Sequence, residues 1–422
     1  MKYGIIFNKS NMNIGDDIQA YATARFLPQV DYYIDREHID EFQSENNEPV
    51  AVIMNAWYMW QKWNWPPSKC IIPLMTGFHY ADHQLSNQWY GSPVKFEFLT
   101  GIGADYLNAY GPVGCRDNFT LERLQEAGVD SYFSGCITMT LPNMPETEDR
   151  GKYIYIVDVD KRVTKKIQQQ LENEDIEVKI SSHIRERNPD LSWEDRVKTV
   201  EDILTNYQNA RCVVTKRLHV ALPCLAMGVP VLLVRGNEDD TRFNPYYKLL
   251  HFSRVKDFLE GNCRYDFLSP PPNSNEYLKY RIQIIENTEK FVKEMDNTHK
   301  SLDELVKTTY TENDIKLWRH DVMKKALETW FYDSHEKHQV VVEKNKKIKE
   351  LTEKNKENKE NIKKQKDTIK KNKEKIKEKN EKIEQLKDEN KQLKKQVDYL
   401  KTQPLLSIIK GRLKNKVKRK KS

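Results

Sequence analysis

Apolar residues follow two patterns along the α/β part of the chain. Short uninterrupted runs of β-branched and aromatic residues predict strands that are buried on both faces. Between the runs, apolar residues recur every three or four positions and predict amphipathic helices. Strands that alternate with helices predict an α/β fold with parallel sheets. The predicted strands are residues 3–7, 50–54, 153–157, 176–180, 212–215 and 231–234, and the predicted helices are residues 18–26, 118–127, 163–171, 193–207 and 218–226.

The alternation starts again after residue 151, which divides the α/β region into two halves. A polar, proline-containing stretch at residues 142–151 predicts a linker between them. Two such halves are expected to face each other across a cleft, since parallel sheets bind ligands beyond the carboxyl ends of their strands. The predicted organisation is two Rossmann-like α/β domains at residues 1–147 and 148–272, a helical segment at 273–335 packing back on them, a coiled coil at 336–402 and a basic amphipathic tail at 403–422.

A seven-residue repeat begins at about residue 341. Its a positions are mostly apolar, whereas its d positions are weak in the middle of the repeat. Asn355 and Asn390 at a positions favour two parallel strands, so we expect a parallel homodimer through residues 341–400. A single charged helix with many glutamate–lysine pairs is the alternative. The a positions are Val341, Ile348, Asn355, Ile362, Ile369, Ile376, Ile383, Asn390 and Val397.

The tail carries the basic character of the chain. Residues 403–422 hold eight lysines and arginines and no acid, and subtracting these eight from the total charge of +7 leaves about −1 for the rest. On a helix, one face of this tail is apolar, which suits an anionic membrane surface; nucleic acid is the rival partner. We therefore expect residues 404–421 to bind an anionic membrane surface and not nucleic acid, because contacts with phosphates do not need an apolar face. The residues of that face are Leu406, Ile409, Leu413 and Val417.

Cysteine usage and hydropathy indicate the compartment. The six cysteines are scattered without the spacing of a metal site or a disulfide framework, so we expect neither. The apolar run after Met1 is too short for a signal peptide, and no stretch approaches the roughly 20 apolar residues of a membrane span. We therefore expect a cytoplasmic protein that is peripheral at the inner face of the cell membrane.

The strand-to-helix switch at residues 211–234 carries the first candidate chemistry. The free N–H groups of the helix amino terminus and the guanidinium of Arg217 both suit a phosphate or a carboxylate. His219, two residues further on, is the residue type that carries protons near neutral pH. The alternative is that Arg217 forms a surface ion pair and that His219 caps a helix or lies in the core.

Further candidates for substrate binding lie near other predicted strand ends. In the connection between the predicted strand 3–7 and the predicted helix 18–26, Gly15 would let the backbone approach a ligand closely. Asp16 could hold a hydroxyl of the ligand or cap the helix. A loop with four tryptophans at residues 57–65 could stack on sugar rings, or could be pinned to the domain by its large side chains. These candidates are Asn13, Gly15, Asp16, Trp57, His79, Arg116 and Arg242.

Five motifs lie within residues 2–234: Asn13-x-Gly15-Asp16, GPVGCRD at 111–117, SGCITMTL at 134–141, Arg217-Leu218-His219 and GVPV at 228–231. Together they resemble the polysaccharide pyruvyl transferase family. The resemblance implies a glycosyltransferase-B-like pair of α/β domains that transfers pyruvate from phosphoenolpyruvate to a sugar of a cell-surface glycan as a ketal. It implies that Arg217 grips the anionic donor and that His219 serves the chemistry, and we expect no cofactor and no metal.

Two other functions stay open at this point. A glycosyltransferase with a sugar-nucleotide donor would use the same anion site, and an inactive scaffold would act only through its coiled coil.

Overall fold

The α/β fold is built on parallel β-sheets. The computed structural model describes residues 1–9, 12–60, 62–81, 96–186, 188, 190–236, 241–402 and 405–418. The first sheet has the order β2-β1-β3-β4 and the second has the order β11-β10-β9-β7-β8, while β5 and β6 pair separately. All of these pairings are parallel, which confirms the predicted α/β class with parallel sheets. The strands are β1 (Lys2–Phe7), β2 (Tyr32–Asp35), β3 (Val50–Met54), β4 (Ile71–Met75), β5 (Val113–Cys115), β6 (Ser131–Phe133), β7 (Tyr153–Val157), β8 (Glu177–Ser181), β9 (Cys212–Thr215), β10 (Val231–Arg235) and β11 (His251–Arg254).

Several helices begin and end at residues that suit those positions. The Asp117 carboxylate accepts a hydrogen bond from the N–H of Thr120 (2.8 Å), and the Ser192 hydroxyl accepts one from the N–H of Asp195 (3.1 Å). Gly228 follows the helix after β9 and has a φ of 71°. Glycine adopts this left-handed backbone conformation at little cost in free energy, which suits the end of a helix. The helices are α1 (Gly15–Ala24), α2 (Ile102–Tyr110), α3 (Asn118–Glu126), α4 (Lys161–Gln170), α5 (Trp193–Asn209), α6 (Leu218–Ala226), α7 (Val255–Glu260), α8 (Leu278–Asp296), α9 (Leu302–Leu305), α10 (Glu312–Thr402) and α11 (Leu405–Lys418).

The two large sheets share one hydrophobic core. Successive side chains of a strand point to opposite faces, so Ala51 and Ile53 of β3 enter the shared core while Val52 packs on the outer face. Tyr155 of β7 enters the same core from the second sheet, and Ile156 packs on that sheet's outer face. Residues Met1–Ser334 consequently form one compact unit, which we call the body. The division into two domains stays a prediction.

Residues His335–Ser422 form a second unit, which we call the helical unit. The heptad positions of α10 are exposed within a single chain; Ile369 and Leu393, for example, are 54% and 57% exposed. The predicted tail helix corresponds to α11, where Ile409 and Leu413 of the apolar face are also exposed. No helix in the described ranges combines the length and apolar character needed to span a bilayer.

Parts of the tail prediction fall outside this description. Residues 403 and 404, where the predicted tail begins, lie outside the described residues, as do the basic residues at 419–421. The side chains of Leu406 and Val417 lie outside the described part as well.

Candidate active site

A cleft of about 360 Å³ lies where strands of both large sheets reach their carboxyl ends. Its walls come from the segments that follow β1, β2, β3, β5, β8, β9 and β10. This is the edge at which parallel α/β sheets bind ligands. The described residues that line the cleft are Asn8, Asn13, Asp16, Arg36, Trp57, Trp60, Arg116, His183, Lys216, Arg217, Leu218, His219, Arg235, Arg242 and Phe243.

Backbone hydrogen bonds join the two halves beside the cleft. The N–H of Ile14 donates to the carbonyl of His183 (3.1 Å), and the N–H of Arg185 donates to the carbonyl of Met12 (2.8 Å). The connection after β1 therefore pairs with the connection after β8. This pairing fixes Asn13 between residues contributed by both sheets.

Most of the predicted site residues meet in this cleft. Gly15 and His79 are not among its described lining residues, and both support residues that are. The sequence missed other residues at the same edge, notably Arg36 and His183. The predicted residues that line the cleft are Asn13, Asp16, Trp57, Arg116, Arg217, His219 and Arg242.

Cationic side chains dominate the described lining of the cleft. One carboxylate, that of Asp16, faces six arginine and lysine side chains. Such a surplus in a concave site raises the positive potential and attracts anions. The cationic residues are Arg36, Arg116, Lys216, Arg217, Arg235 and Arg242.

Arg116 is the most suggestive of these cations because it is buried. The residue is 5% exposed, and no described residue accepts a hydrogen bond from its Nε. Its backbone is fixed, since its N–H donates to the carbonyl of Phe78 (2.9 Å) and its carbonyl accepts from the Tyr246 hydroxyl (2.6 Å). Burying a guanidinium nitrogen without an acceptor costs free energy. The arrangement is therefore suited to an anionic ligand that supplies the missing acceptor.

Arg217 is held in place by an acid that the sequence analysis did not identify. Its Nε donates to the carboxylate of Asp158 (2.9 Å), which directly follows β7 at a φ of 54°. The same carboxylate accepts hydrogen bonds from the Ser182 hydroxyl (2.7 Å) and the His183 N–H (2.9 Å). Burial raises the pKa of Asp158, but these hydrogen bonds and the Arg217 charge outweigh it and leave the pKa below its usual range. Asp158 thus stays ionised and orients Arg217.

His219 is neutral in the ligand-free cleft. Burial and then the positive charge of Arg116 lower its pKa well below the usual 6.5. Its Nε2 lies 3.8 Å from the Cys136 sulfur, while a Cβ added to Gly15 would come within 2.8 Å of its Nδ1. Gly15 therefore admits the close approach of this imidazole, where the sequence analysis expected the approach of a ligand.

His183 is a second histidine of the cleft. It is 1% exposed, and its Nε2 lies 2.5 Å from the hydroxyl of Tyr207. No described residue makes a hydrogen bond with its Nδ1. Burial lowers the pKa of His183 to about 3, with the Asp158 carboxylate opposing this shift and Arg217 adding to it. The only local signal for His183 was its position just after a predicted strand.

His79 has a supporting role in the structure. It is 3% exposed, and its Nδ1 lies 2.6 Å from the Asp117 carboxylate that caps α3. Its ring lies 6.2 Å from the ring of Trp57, so it packs behind a residue that lines the cleft. Burial and then the charge of Arg116 lower the pKa of His79 to about 4, although the Asp117 carboxylate opposes this shift.

Asp16 pairs with an arginine and does not cap α1. Its carboxylate lies 3.2 Å from the Arg36 Nη1, while the cap residue Ile14 makes no side-chain hydrogen bond. The Arg36 guanidinium also binds Glu37 (2.9 Å) and lies over the ring of Trp57 at 5.3 Å. α1 begins at Gly15, three residues before the predicted start at residue 18. Asp16 and Asp17 therefore lie in the first turn of the helix and do not precede it.

The tryptophan loop divides its side chains between the cleft and the core. Trp57 and Trp60 line the cleft with ring centroids 4.7 Å apart. Trp65 is fully buried, and Trp63 donates a hydrogen bond from its indole to the Trp65 carbonyl (2.7 Å). Trp63 and Trp65 therefore pin the loop to the body, while stacking of Trp57 and Trp60 on a sugar ring stays a prediction.

Among the residues that the structure describes, no group of three or more histidine, cysteine, aspartate or glutamate side chains could hold a metal ion.

Comparison with protein families identifies the class. The family model for polysaccharide pyruvyl transferase matches residues 13–238, which is more than half of the chain. The chain belongs to the polysaccharide pyruvyl transferase family. The match includes the tryptophan loop, Arg116, Asp158 and the Arg217-Leu218-His219 switch, so most of the cleft lining lies within it; Asn8, Arg242 and Phe243 lie outside the matched residues.

Comparison with individual proteins adds only distant likenesses. Curated proteins gave no match. A protein of uncharacterized function from Klebsiella pneumoniae aligns at 15% identity over 59% of this chain and 92% of its own, with a TM-score of 0.33. The UDP-GlcNAc 2-epimerase of Methanocaldococcus jannaschii aligns at 10% identity over 71% of this chain and 100% of its own, with a TM-score of 0.40. The family assignment therefore rests on the family match.

Proposed function

We propose that this protein transfers pyruvate from phosphoenolpyruvate to two hydroxyls of a sugar in a cell-surface glycan, forming a ketal and releasing phosphate. The observation that carries the proposal is the buried Arg116, whose Nε has no acceptor among the described residues, in a cleft with five other cationic residues. Membership of the family makes polysaccharide modification the general activity. The donor and the reaction are our inference.

Phosphoenolpyruvate carries two anionic groups, and the cleft offers separate cations for them. Arg116 and Arg242 come from the segments after β5 and β10, whereas Arg217 begins α6, where free N–H groups add to its charge. Charge-assisted hydrogen bonds from guanidinium groups suit both a carboxylate and a phosphate. A single small donor could therefore be held at both ends.

The reaction requires proton transfers that His219 can serve. One proton is added to the methylene carbon, one proton leaves each of two sugar hydroxyls, and the carbon–oxygen bond to phosphate breaks. One hydroxyl proton balances the methyl group that forms, and the other balances the released phosphate. His219 is neutral in the empty cleft and can accept a hydroxyl proton, while the negative donor would raise its pKa and allow it to return one.

The acceptor sugar would lie against Trp57 and Trp60. Their rings are part of the cleft wall and offer apolar faces to the C–H side of a sugar ring. The ion pair of Asp16 with Arg36 lies beside Trp57 and supplies polar groups for hydroxyls. In this proposal the acceptor lies on the first-sheet side of the cleft, and the Arg217 end of the donor lies on the second-sheet side.

A thermal-shift panel tests the donor. We expect phosphoenolpyruvate to stabilise the protein by about 2.7 kcal/mol at a hundredfold excess over its dissociation constant. Arg116→Ala should lose this stabilisation, whereas Arg162→Ala should keep it, because Arg162 is an exposed arginine paired with Asp160. Arg217→Lys should bind weakly as well, since one ammonium group does not reproduce a two-point contact.

The same panel separates the alternatives. Stabilisation by a UDP- or GDP-sugar, with none by phosphoenolpyruvate, would overturn the proposal in favour of a glycosyltransferase. Stabilisation by neither class of donor would favour an inactive body that acts as a scaffold.

A further inference from the structure

The first turns of α10 belong to the body, although they lie outside the residues that the family model matches. Trp318, Val322 and Ala326 follow each other at four-residue spacing and form one stripe of the helix. Val322 and Ala326 are each 7% exposed, in the apolar cluster on the outer face of the first sheet. The stripe therefore seats the beginning of α10 on the body, and none of its three residues lines the cleft.

Trp318 contacts the tryptophan loop. Its ring centroid lies 5.6 Å from that of Trp63, with the two ring planes at 81°. Its indole N–H donates to the carbonyl of Thr100 (2.8 Å), which fixes the ring. Edge-to-face packing is a favourable arrangement of two aromatic rings. Trp318 thus stabilises the part of the loop that is turned to the body.

Arg319 joins two segments of the first half of the body. Its Nε donates to the carbonyl of Trp65, the last tryptophan of the loop (3.0 Å). Its Nη2 lies 3.1 Å from the carboxylate of Asp40, which follows Arg36 by four residues. The other oxygen of this carboxylate lies 3.7 Å from Lys62 of the tryptophan loop. A guanidinium can make both contacts at once because its donors point in fixed, different directions.

Both segments continue into the part of the cleft that the acceptor sugar is proposed to occupy. We call this part the acceptor wall, and its residues are Arg36, Trp57 and Trp60. The guanidinium of Arg36 lies over the Trp57 ring at 5.3 Å. The buried Asn64 side chain links the segments, because it donates to the Arg36 carbonyl (2.7 Å) and accepts from the N–H of Met59 (2.8 Å). A chain of fixed contacts therefore leads from α10 to the acceptor wall.

We propose that Arg319 is a positioning residue for the acceptor, because it joins the two segments that carry the acceptor wall and holds them in the geometry that binds the sugar. The proposal rests on the proposed function, since it assumes that the acceptor lies against this wall. A displacement of about 1 Å caused far from the reacting atoms can lower a rate about a hundredfold. The donor cations Arg116 and Arg217 follow β5 and β9, which are not the segments that Arg319 joins. Loss of Arg319 should therefore affect the acceptor and spare the donor.

A purely structural ion pair is the alternative role of Arg319. Such a pair would stabilise the body without setting the position of the acceptor wall. Val322→Ala separates the two roles, because it shortens a buried side chain of the same helix and should lower Tm while the contacts of Arg319 remain. Lys324→Ala, at an exposed lysine of the same helix, is the control for the loss of one positive charge.

Fluorine NMR of the full-length protein measures the acceptor wall without any ligand. The protein is labelled with 5-fluorotryptophan, and single tryptophan-to-phenylalanine variants assign the resonances of Trp57, Trp60 and Trp193. We expect Arg319→Ala to shift or broaden the first two resonances and to leave that of Trp193, which lies in α5, unchanged. The two control variants should leave all three resonances unchanged. Unaltered Trp57 and Trp60 resonances in Arg319→Ala, or the same alteration in the destabilised control, would overturn the inference.

Steady-state kinetics provide the functional readout. The acceptors are the 4-nitrophenyl pyranosides of glucose, galactose, mannose and N-acetylglucosamine, and phosphate release from phosphoenolpyruvate is followed. With each acceptor that reacts, Arg319→Ala should lower kcat/KM for the acceptor by about tenfold or more and leave KM for phosphoenolpyruvate unchanged. An unchanged kcat/KM for the acceptor, or an equal loss in Val322→Ala, would show that Arg319 does not position the acceptor.

The donor assay keeps this inference separate from the proposed function. Arg319→Ala should retain the thermal shift with phosphoenolpyruvate, whereas Arg116→Ala should lose it. Absence of that shift in the unmodified protein would count against the proposed donor alone, because the fluorine measurement needs no substrate. A donor shift that is normal in Arg319→Ala, together with an undisturbed acceptor wall, would count against the positioning role alone.

Discussion

The body and the helical unit place their polar and apolar groups in opposite ways. In the body, Arg116 is 5% exposed among buried apolar strands, and its Nε has no acceptor among the described residues. In the helical unit, apolar residues such as Ile369 and Leu393 are more than half exposed. Residues placed against their usual preference indicate contact with another molecule. The body is therefore suited to a charged small ligand, and the helical unit to an apolar surface.

The largest expected effect concerns the chemistry of the body. His219→Asn should lower kcat by about 10²–10⁴-fold while donor affinity changes little, because a proton carrier is lost and the arginines remain. Gly15→Ala should also lower kcat, since its Cβ would come within 2.8 Å of the His219 ring. Steady-state rates of phosphate release measure both variants, and His320→Asn, at an exposed histidine, is the control. A normal rate in His219→Asn across neutral pH would remove His219 from the mechanism.

The next effect concerns the tail. We propose that residues 404–421 bind an anionic membrane surface, and each basic residue near such a surface contributes about 1 kcal/mol. Engagement of half of the eight basic residues would strengthen vesicle binding by more than about a hundredfold. Co-sedimentation with phosphatidylserine vesicles should be lost when residues 404–422 are removed and should weaken with salt.

A variant that keeps the charge separates the two faces of the tail. Ile409→Ser with Leu413→Ser retains every basic residue, so it should bind vesicles less well than the unmodified protein but still more than the truncated one. Equal pelleting with and without the tail, or stronger binding of the tail to DNA, would rule out the membrane proposal.

The buried histidines predict how stability of the body depends on pH. Burial holds the pKa of His79 at about 4 and that of His183 at about 3, so the unfolded chain binds protons below pH 6.5 that the folded chain does not. Each of these histidines should therefore lower the free energy of unfolding by about 1.4 kcal/mol when the pH falls from 7.5 to 5.5.

One carboxylate acts in the opposite direction over the same range. Burial raises the pKa of Asp17 to about 6, although the Arg196 charge opposes this shift. The folded state therefore takes up a proton at Asp17 as the pH falls, which offsets about 0.8 kcal/mol of the stability lost through the histidines at pH 5.5. Urea unfolding of a chain ended after Asp333 measures the balance, which should be a net loss of stability. Stability that is unchanged or higher at pH 5.5 would contradict the assignment of neutral, buried histidines.

The smallest expected effect is a change of mass. We propose a parallel dimer through residues 341–400, so light scattering of the full chain should give twice its 50.0 kDa. The chain ended after Asp333 should be a monomer with the same turnover per chain on a soluble acceptor. Ile376→Lys with Ile383→Lys should weaken the dimer by placing charges at a positions, whereas Lys377→Ala, outside the a and d positions, should not. A full-length monomer would leave the single charged helix as the explanation.

Local sequence patterns were sufficient to predict most of the strands and helices of the α/β fold. Buried parallel strands leave uninterrupted apolar runs, so β3, β7 and β9 were predicted at the bounds that the structure gives. Arg217 and His219 were found because a strand, a switch and a helix follow each other directly in sequence. The same logic located Arg116 and Asn13.

Residues that depend on tertiary contacts were not predictable in this way. Arg36 and His183 follow β2 and β8, and no local pattern indicates that the sheet order brings both to one cleft. Asp158 acts through a left-handed backbone conformation and three side-chain contacts. Asp16 pairs with Arg36, which lies twenty residues away, and no local pattern indicates this ion pair.

The hydrogen bonds of Tyr3 have a consequence for synthesis of the protein. The Tyr3 hydroxyl donates to the Asp296 carboxylate (2.6 Å) and lies 3.3 Å from the Val292 carbonyl, although β1 leaves the ribosome long before α8. At about 5–20 residues per second, this delay is roughly 15–60 s. In the first part of this delay, until the second sheet has emerged, the apolar face that the first sheet presents to the shared core lacks its cover, and it lacks the cover of α8 until the end. Nascent chains of this protein should therefore be clients of ribosome-associated chaperones until α8 has emerged.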